Sequence, residues 1–364
     1  MITDLIERAA TLPDDLARAF ARIFAVDRSV GRLELSETMQ PWAERQFGAL
    51  EAVREQTVVT VLNRLTLEAA LFNPLRARRP GGTAGDDAEL ERWVAEELAE
   101  DIFADPLRDT SADLWGRVRG RYAVSAANVA KCAALHGLVI FDEPHPLRFG
   151  REQLRDYLDV ARRWIALAHA HDPQAVHPVI FWNCMPKSGA TIMHGHMQVA
   201  LARLPFARAE LWRRAAGLYQ AESGRAYLDD LAELHRALGL GLPAGPGVRA
   251  FAHLTPLRNR EVVALASPGD DLAPLADTLY DLLRALIDRQ GVRSFNMLIA
   301  LPSLRADPAD PHWPVIARLA DRGAALTCRG DLGAIELFGS GCITIDPFDL
   351  AVQLQSKSGN CTAQ

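Results

Sequence analysis

The 364-residue chain has very little lysine, no closely spaced cysteines and no long apolar run. Lysine stands only at Lys131, Lys187 and Lys357, so nearly all of the positive charge is guanidinium, always ionised and suited to bidentate phosphate contacts. Codon usage alone also accounts for such a bias. Cys132, Cys184, Cys328, Cys342 and Cys361 are odd in number and contain no C-x-x-C pair, which argues against a disulfide framework and a cysteine-rich zinc site and predicts reduced thiols. A basic excess is missing too: 40 basic residues face 46 acidic ones, so no bulk field draws the chain onto nucleic acid or an anionic membrane, and phosphate binding has to be local. Aromatic residues, 7% of the chain, form no basic stripe of the kind that stacks bases. No stretch approaches the roughly 18 apolar residues of a membrane span. The opening MITDLIERAATLPDDLARAF carries acids where a signal peptide needs basic residues, so a cytoplasmic location is expected.

What is present is ordinary globular composition, 49% apolar and 24% charged, which excludes wholesale disorder. At roughly 100 to 200 residues per domain, the length suits two domains or one large duplicated one. In LIERAATL, LARAFARIF and FGALEAVREQTVVTVLNRL apolar residues recur every three or four positions, so residues 1–70 are predicted to be helical. RPGGTAGDD reads as a loop and ELERWVAEELAEDIF as an acidic helix. From residue 138 the period changes: strand LVIF, helix FGREQLRDYLDVARRWIALAHAH, strand PVIFW, strand HGHMQVALA. The order returns in EVVALA, the helix LAPLADTLYDLLRALIDRQG, FNMLIALP and WPVIARLA. This is a duplicated strand-helix-strand-strand unit, and a helical connection links the two copies.

The chemistry concentrates in NCMPKSGATIMHGHMQ, residues 183–198. On a strand, His194, His196 and Gln198 project to one face. Upstream, KSGAT supplies a lysine, hydroxyls and a glycine at a turn, the parts of a phosphate cradle. Two such histidines are also compatible with a purely structural role.

The segment resembles the active-site signature of the galactose-1-phosphate uridylyltransferase family of the histidine-triad superfamily: Asn, Gly, Ser or Thr, then H-x-H-x-Q. Asn183, Gly189, Thr191, His194, His196 and Gln198 fall on it without a gap. FNPLRARRPGG is similar to the family's R-A-K-R-P-like motif through Arg76, Arg78, Arg79 and Pro80, a solvated charged loop being its other reading. FDEPHPL places His145 where the family has a histidine that is often a metal ligand. The resemblance runs from about residue 72 to 350, and extends to the dinucleoside tetraphosphate and sugar-nucleotide phosphorylases.

The resemblance implies an α+β fold of two tandem histidine-triad-like units, antiparallel sheets with packed helices, behind a helical N-terminal segment. The divisions expected are 1–70, a catalytic unit over 71–240 and a degenerate unit over 241–364. It implies a nucleotidyltransferase in which His196 is the nucleophile, His194 a structural residue or metal ligand, and Gln198 a donor to a phosphoryl oxygen. Lys187, Ser188, Gly189 and Thr191 would hold phosphate, Asn183 the nucleotide, and Arg76, Arg79 and perhaps Lys187 the sugar phosphate or leaving phosphate. Glu336 would lie near substrate or be simply solvated. The substrates implied are a nucleotide sugar or nucleotide with a sugar phosphate or phosphate, and the assembly a homodimer. A phosphorylase and a non-catalytic nucleotide-binding scaffold are the alternatives. Zinc held by His145 and His194 is implied only in part, because the family's C-x-x-C is missing and ADPLRD stands near its place; Asp142 or Glu143 would have to complete the site. The second copy keeps only His312 of a histidine cluster, with Ile316 and Arg318 in the other positions, and is expected to be a scaffold.

Overall fold

The computed structural model describes residues 1–78, 87–269, 271–305, 313–326 and 340–355. Nine strands form one antiparallel sheet. They are β4 (Ala123–Ala127), β5 (Leu135–Phe141), β6 (His177–Cys184), β7 (His196–Ala202), β8 (Gly241–Leu242), β9 (Val248–Ala252), β10 (Val262–Ala266), β11 (Phe295–Ala300) and β12 (Val315–Asp321), in the order β4-β5-β7-β6-β11-β12-β10-β9-β8. Each unit is a strand pair, a helix and a second strand pair, and the units join where β6 pairs with β11, so the duplication forms one continuous sheet.

The helix between β5 and β6, Arg151–His171, buries Leu154, Tyr157, Leu158, Ala161, Trp164, Ile165 and Ala168 at spacings of three and four residues. Its first turn is tied by Gln153 Oε1, which accepts from the Gly150 N–H at 2.7 Å. It covers the face carrying Val139, Phe141, Met197 and Val199. The counterpart helix in the second unit, Ala273–Arg284, buries Leu275, Leu279, Leu282 and Leu283 in the same way. Trp182 of β6 spans the join, its ring 5.1 Å from Phe295 of β11 and 5.2 Å from Phe141.

Following the register across the other face, Gln198 of β7, Phe181 of β6, Leu298 of β11, Arg318 of β12 and Val263 of β10 form one cross-strand row. The second-unit end of this row lies under Trp212, from helix Ala207–Ser223.

The all-helical reading of residues 1–70 is corrected. Helices Leu5–Ala10, Asp14–Ile23, Gln40–Phe47 and Leu50–Arg54 are present, but β1 (Phe24–Arg32), β2 (Glu55–Asn63) and β3 (Ala69–Phe72) form a second sheet with β13 (Ser340–Ile343), in the order β1-β2-β3-β13. Phe24 continues the three-to-four spacing of Ala19, Phe20 and Ile23, yet β1 pairs with β2 over nine registers, and the β-branched run in EQTVVTVLN favours that pairing. The parallel pairing of β3 with β13 and the bond from the Ile2 N–H to Asp346 Oδ2 (2.6 Å) tie the two ends of the chain together.

Candidate active site

His196 opens β7, opposite Ile140 of β5, and points to the face away from the long helix. Its Nδ1 lies 2.8 Å from the His194 carbonyl oxygen, which can only accept, so Nδ1 carries the hydrogen and Nε2 keeps its lone pair. No described residue hydrogen-bonds Nε2. Burial lowers the pKa of the ring below the usual histidine value, outweighing the Nδ1 bond, so the ring is neutral at pH 7. The edge of Phe103 packs on it, centroids 5.4 Å apart.

His194 stands just before the strand. Its Nδ1 meets Asp101 Oδ2 at 2.5 Å and its Nε2 the Phe141 carbonyl at 2.8 Å. The Phe141 carbonyl can only accept, so Nε2 carries a hydrogen, while Nδ1 faces a carboxyl group that is itself buried. The residue between the histidines has to be glycine: a Cβ at Gly195 would lie 2.7 Å from the Phe141 ring and 3.0 Å from the Glu143 carbonyl.

These positions do not assemble the tetrahedral donor set that the resemblance implies. With Nε2 of His194 spent on the Phe141 carbonyl, only Nδ1, against Asp101, is left to meet a metal. His145 Nδ1 accepts from the Leu147 N–H at 3.2 Å, and its Nε2 faces Glu91 Oε1 at 3.5 Å. Burial lowers the His145 pKa against the pull of Glu91. Asp142 accepts from Gln153, and Glu143 Oε1 from the His145 N–H. Among the described residues no three His, Cys, Asp or Glu side chains group as metal ligands.

Gln198 follows on the same face. Its Oε1 lies 2.9 Å from His136 Nε2 and 3.3 Å from Asn128 Nδ2. Asn183 lies two residues past Phe181, the β6 partner of Gln198, and so on the same face of the sheet. Asn183 Oδ1 accepts from Asn296 Nδ2 at 2.7 Å, and Arg322 donates to Asn296 Oδ1. An arginine and an asparagine of the second unit therefore stand behind a site residue of the first.

The expected phosphate cradle folds as a tight turn. Met185 (φ 75°) and Gly189 (φ 101°) flank a single 3₁₀ turn, Pro186–Ser188, in which the N–H groups of Ser188, Gly189 and Ala190 all donate to Met185 or Pro186 carbonyls. The Ser188 hydroxyl also donates to the Met185 carbonyl, at 2.8 Å. These groups shape the turn rather than face a ligand, whereas Thr191, just beyond it, is exposed and has no hydrogen bond among the described residues. Lys187 is half-buried and engaged with a neighbour. Arg76 lies on the short helix Pro74–Arg78, its Nε buried and without a hydrogen-bond partner among the described residues. Arg79, Glu336 and His312 lie outside the described residues.

The sequence reading missed Asp101, Phe103, Asn128, His136 and Asn296. For His136 a signal existed: starting the strand at Leu135 instead of Leu138 puts His136 on the face of Gln198, two residues from the position opposite it. The others come from loops or distant strands and carry no local pattern.

No protein-family model matches the sequence, and no curated protein matches it either. Solved structures do match. An ADP-glucose phosphorylase from Arabidopsis thaliana, determined with bound ADP-glucose, superposes with a TM-score of 0.65 at 15% identity, over 82% of this chain and 98% of that one. A GalT-like protein from the same plant gives 0.60 at 15% identity, over 71% and 91%. A uridylyltransferase gives 0.56 at 14% identity, over 65% and 85%. The chain has the uridylyltransferase fold. In this fold the observed strand order, two units joined at β6 and β11, bears out the tandem arrangement read from the sequence.

Proposed function

We propose that the chain is a nucleotidyl-transferring enzyme that carries a nucleoside monophosphate on His196 Nε2 and passes it between sugar-phosphate or phosphate acceptors. The observation that carries this reading is the tautomer of His196, which leaves an unprotonated nitrogen on a neutral ring, on the face it shares with Gln198.

Nε2 attacks the α-phosphorus of the donor in line. A nitrogen–phosphorus bond forms, the bond from phosphorus to the leaving oxygen breaks, and the leaving sugar phosphate or polyphosphate departs with the electron pair. The ring becomes cationic, and its Nδ1–H strengthens its bond to the His194 carbonyl. That carbonyl is held by a residue pinned between Asp101 and the Phe141 carbonyl. The Gln198 amide and the Thr191 hydroxyl are suited to the non-bridging oxygens, where charge spreads in the transition state. An acceptor oxygen then attacks phosphorus, the nitrogen–phosphorus bond breaks, and neutral His196 returns. Arg76 and Arg79 suit the outer phosphate of the acceptor, since a guanidinium binds it bidentately.

The phosphorylase reading differs only in using inorganic phosphate as acceptor, and is favoured by the near-complete coverage of the ADP-glucose phosphorylase. Intact-protein mass after incubation with nucleotide sugars and dinucleotides tests the reading. One donor should add one nucleoside monophosphate, labile to acid, and discharge by phosphate or by a sugar phosphate then assigns the acceptor. A wild-type chain that takes up no nucleotide from any donor sinks the proposal.

A further inference from the structure

We propose that His136 is a positioning residue of this site, locking the Gln198 carboxamide with its NH2 group toward the phosphoryl oxygens. The functional half of this inference rests on the reading above; the structural half does not.

The argument starts from donors and acceptors. His136 Nδ1 receives the Cys132 N–H at 3.0 Å, so Nδ1 is the unprotonated nitrogen and Nε2 carries the hydrogen. That hydrogen faces Gln198 Oε1 at 2.9 Å. Asn128 is fixed independently: its Oδ1 accepts from the Ala130 N–H at 3.0 Å, so its Nδ2 is a donor, and it reaches the same Gln198 oxygen at 3.3 Å. Two donors converge on one atom. Only the carbonyl end of the carboxamide can accept them, so the NH2 end has to point away from both donors.

The support is itself held from several sides. Lys131 Nζ donates to the His136 carbonyl at 2.9 Å, and the Phe181 ring lies 5.8 Å from the imidazole. The His136 side chain is buried, which keeps it neutral and the tautomer fixed. Without the clamp a glutamine amide would sample both flips, and in one of them its oxygen would face the phosphoryl group and repel it.

The test has a structural and a kinetic arm. Long-range proton–nitrogen NMR of the free protein should report His136 as the Nε2–H tautomer; the Nδ1–H tautomer overturns the inference whether or not the chain turns over. In single-turnover adduct formation, His136→Phe keeps the ring volume and removes the donor. It should slow the step roughly ten-fold, the usual worth of one hydrogen bond, with little change in donor affinity. His136→Gln, whose amide can donate from the same place, should recover most of that loss. In the Gln198→Ala background, His136→Phe should cost nothing further. A wild-type rate for His136→Phe, or an equal loss in both backgrounds, overturns the inference. If the wild-type chain forms no adduct, the nucleotidyl-transfer reading fails and the tautomer measurement alone decides the positioning claim.

Discussion

β7 and β12 are counterparts in the two copies, and Gln198 and Arg318 lie in one cross-strand row, yet the residues around them do opposite things. Around β7 the sheet face offers polar atoms with no hydrogen-bond partner among the described residues: His196 Nε2 and the Gln198 amide. Around β12 the same face is closed. Arg318 donates to Glu68 Oε1 at 2.6 Å and through Nε to Glu261 Oε1 at 2.7 Å, with Trp212 stacked over the guanidinium at 5.1 Å. Arg208 adds a second cation to Glu68, at 2.5 Å. His253 Nδ1 lies 3.7 Å from Glu261 Oε1, outside hydrogen-bond length. One strand keeps groups available for a ligand; the other uses its polar residue to join the N-terminal sheet, through Glu68, to the second unit. Duplication supplied the same frame twice, and the difference is what covers it.

The largest effect expected from breaking this contrast is at β7. His196→Gly should lower adduct formation at least about a thousand-fold in single-turnover assays, because the nucleophile is removed, with a smaller loss of melting temperature from the buried ring. At β12 the expectation is reversed. Arg318→Met leaves Glu261 buried without its arginine and Glu68 with Arg208 alone, and should cost about 3–5 kcal/mol in denaturant unfolding, while the folded fraction forms adduct at the wild-type rate.

The acid response follows from the same pair. Burial raises the Glu261 pKa, but Arg318 and His253 outweigh it and bring it down to about 2. A carboxylate lowered in the folded state contributes stability that is complete above its unfolded value near 4.5 and is lost as pH falls from there toward 2. Wild-type unfolding free energy should drop through that window, and Arg318→Met should respond less steeply.

Smaller effects are expected where β7 is braced. Asp101→Asn keeps the shape but removes the charge paired with His194, and should slow adduct formation about ten-fold, the scale of one charged hydrogen bond. Chelation should do least. With Asp101 in contact with His194, treatment with a strong chelator should leave the adduct rate within two-fold, and metal analysis should find well under one equivalent of zinc. Loss of activity on chelation would mean that Asp101 and His194 bind metal after all.

Much of this was legible in the sequence because it is local and periodic. The helix Arg151–His171, the strands β6, β10, β11 and β12 and the alternation of His196 and Gln198 all follow from spacing within one segment. The N-terminal strands were not, because Phe24 extends a helical period and β1 is mostly exposed, held by pairing with β2 rather than by an apolar face of its own. Asp101 reaches His194 across 93 residues and Glu68 reaches Arg318 across 250, separations that no spacing rule spans.

The central claim is that the reactive atom of this fold is Nε2 of His196 and that β12 has none. Phosphorus–nitrogen NMR of the trapped adduct on nitrogen-15-histidine-labelled protein tests it directly. The account predicts one phosphoramidate, at His196 Nε2, with Nδ1 still protonated and the other histidines unmodified. A phosphoramidate at Nδ1 of His196, or at His194, His136 or His253, would contradict it.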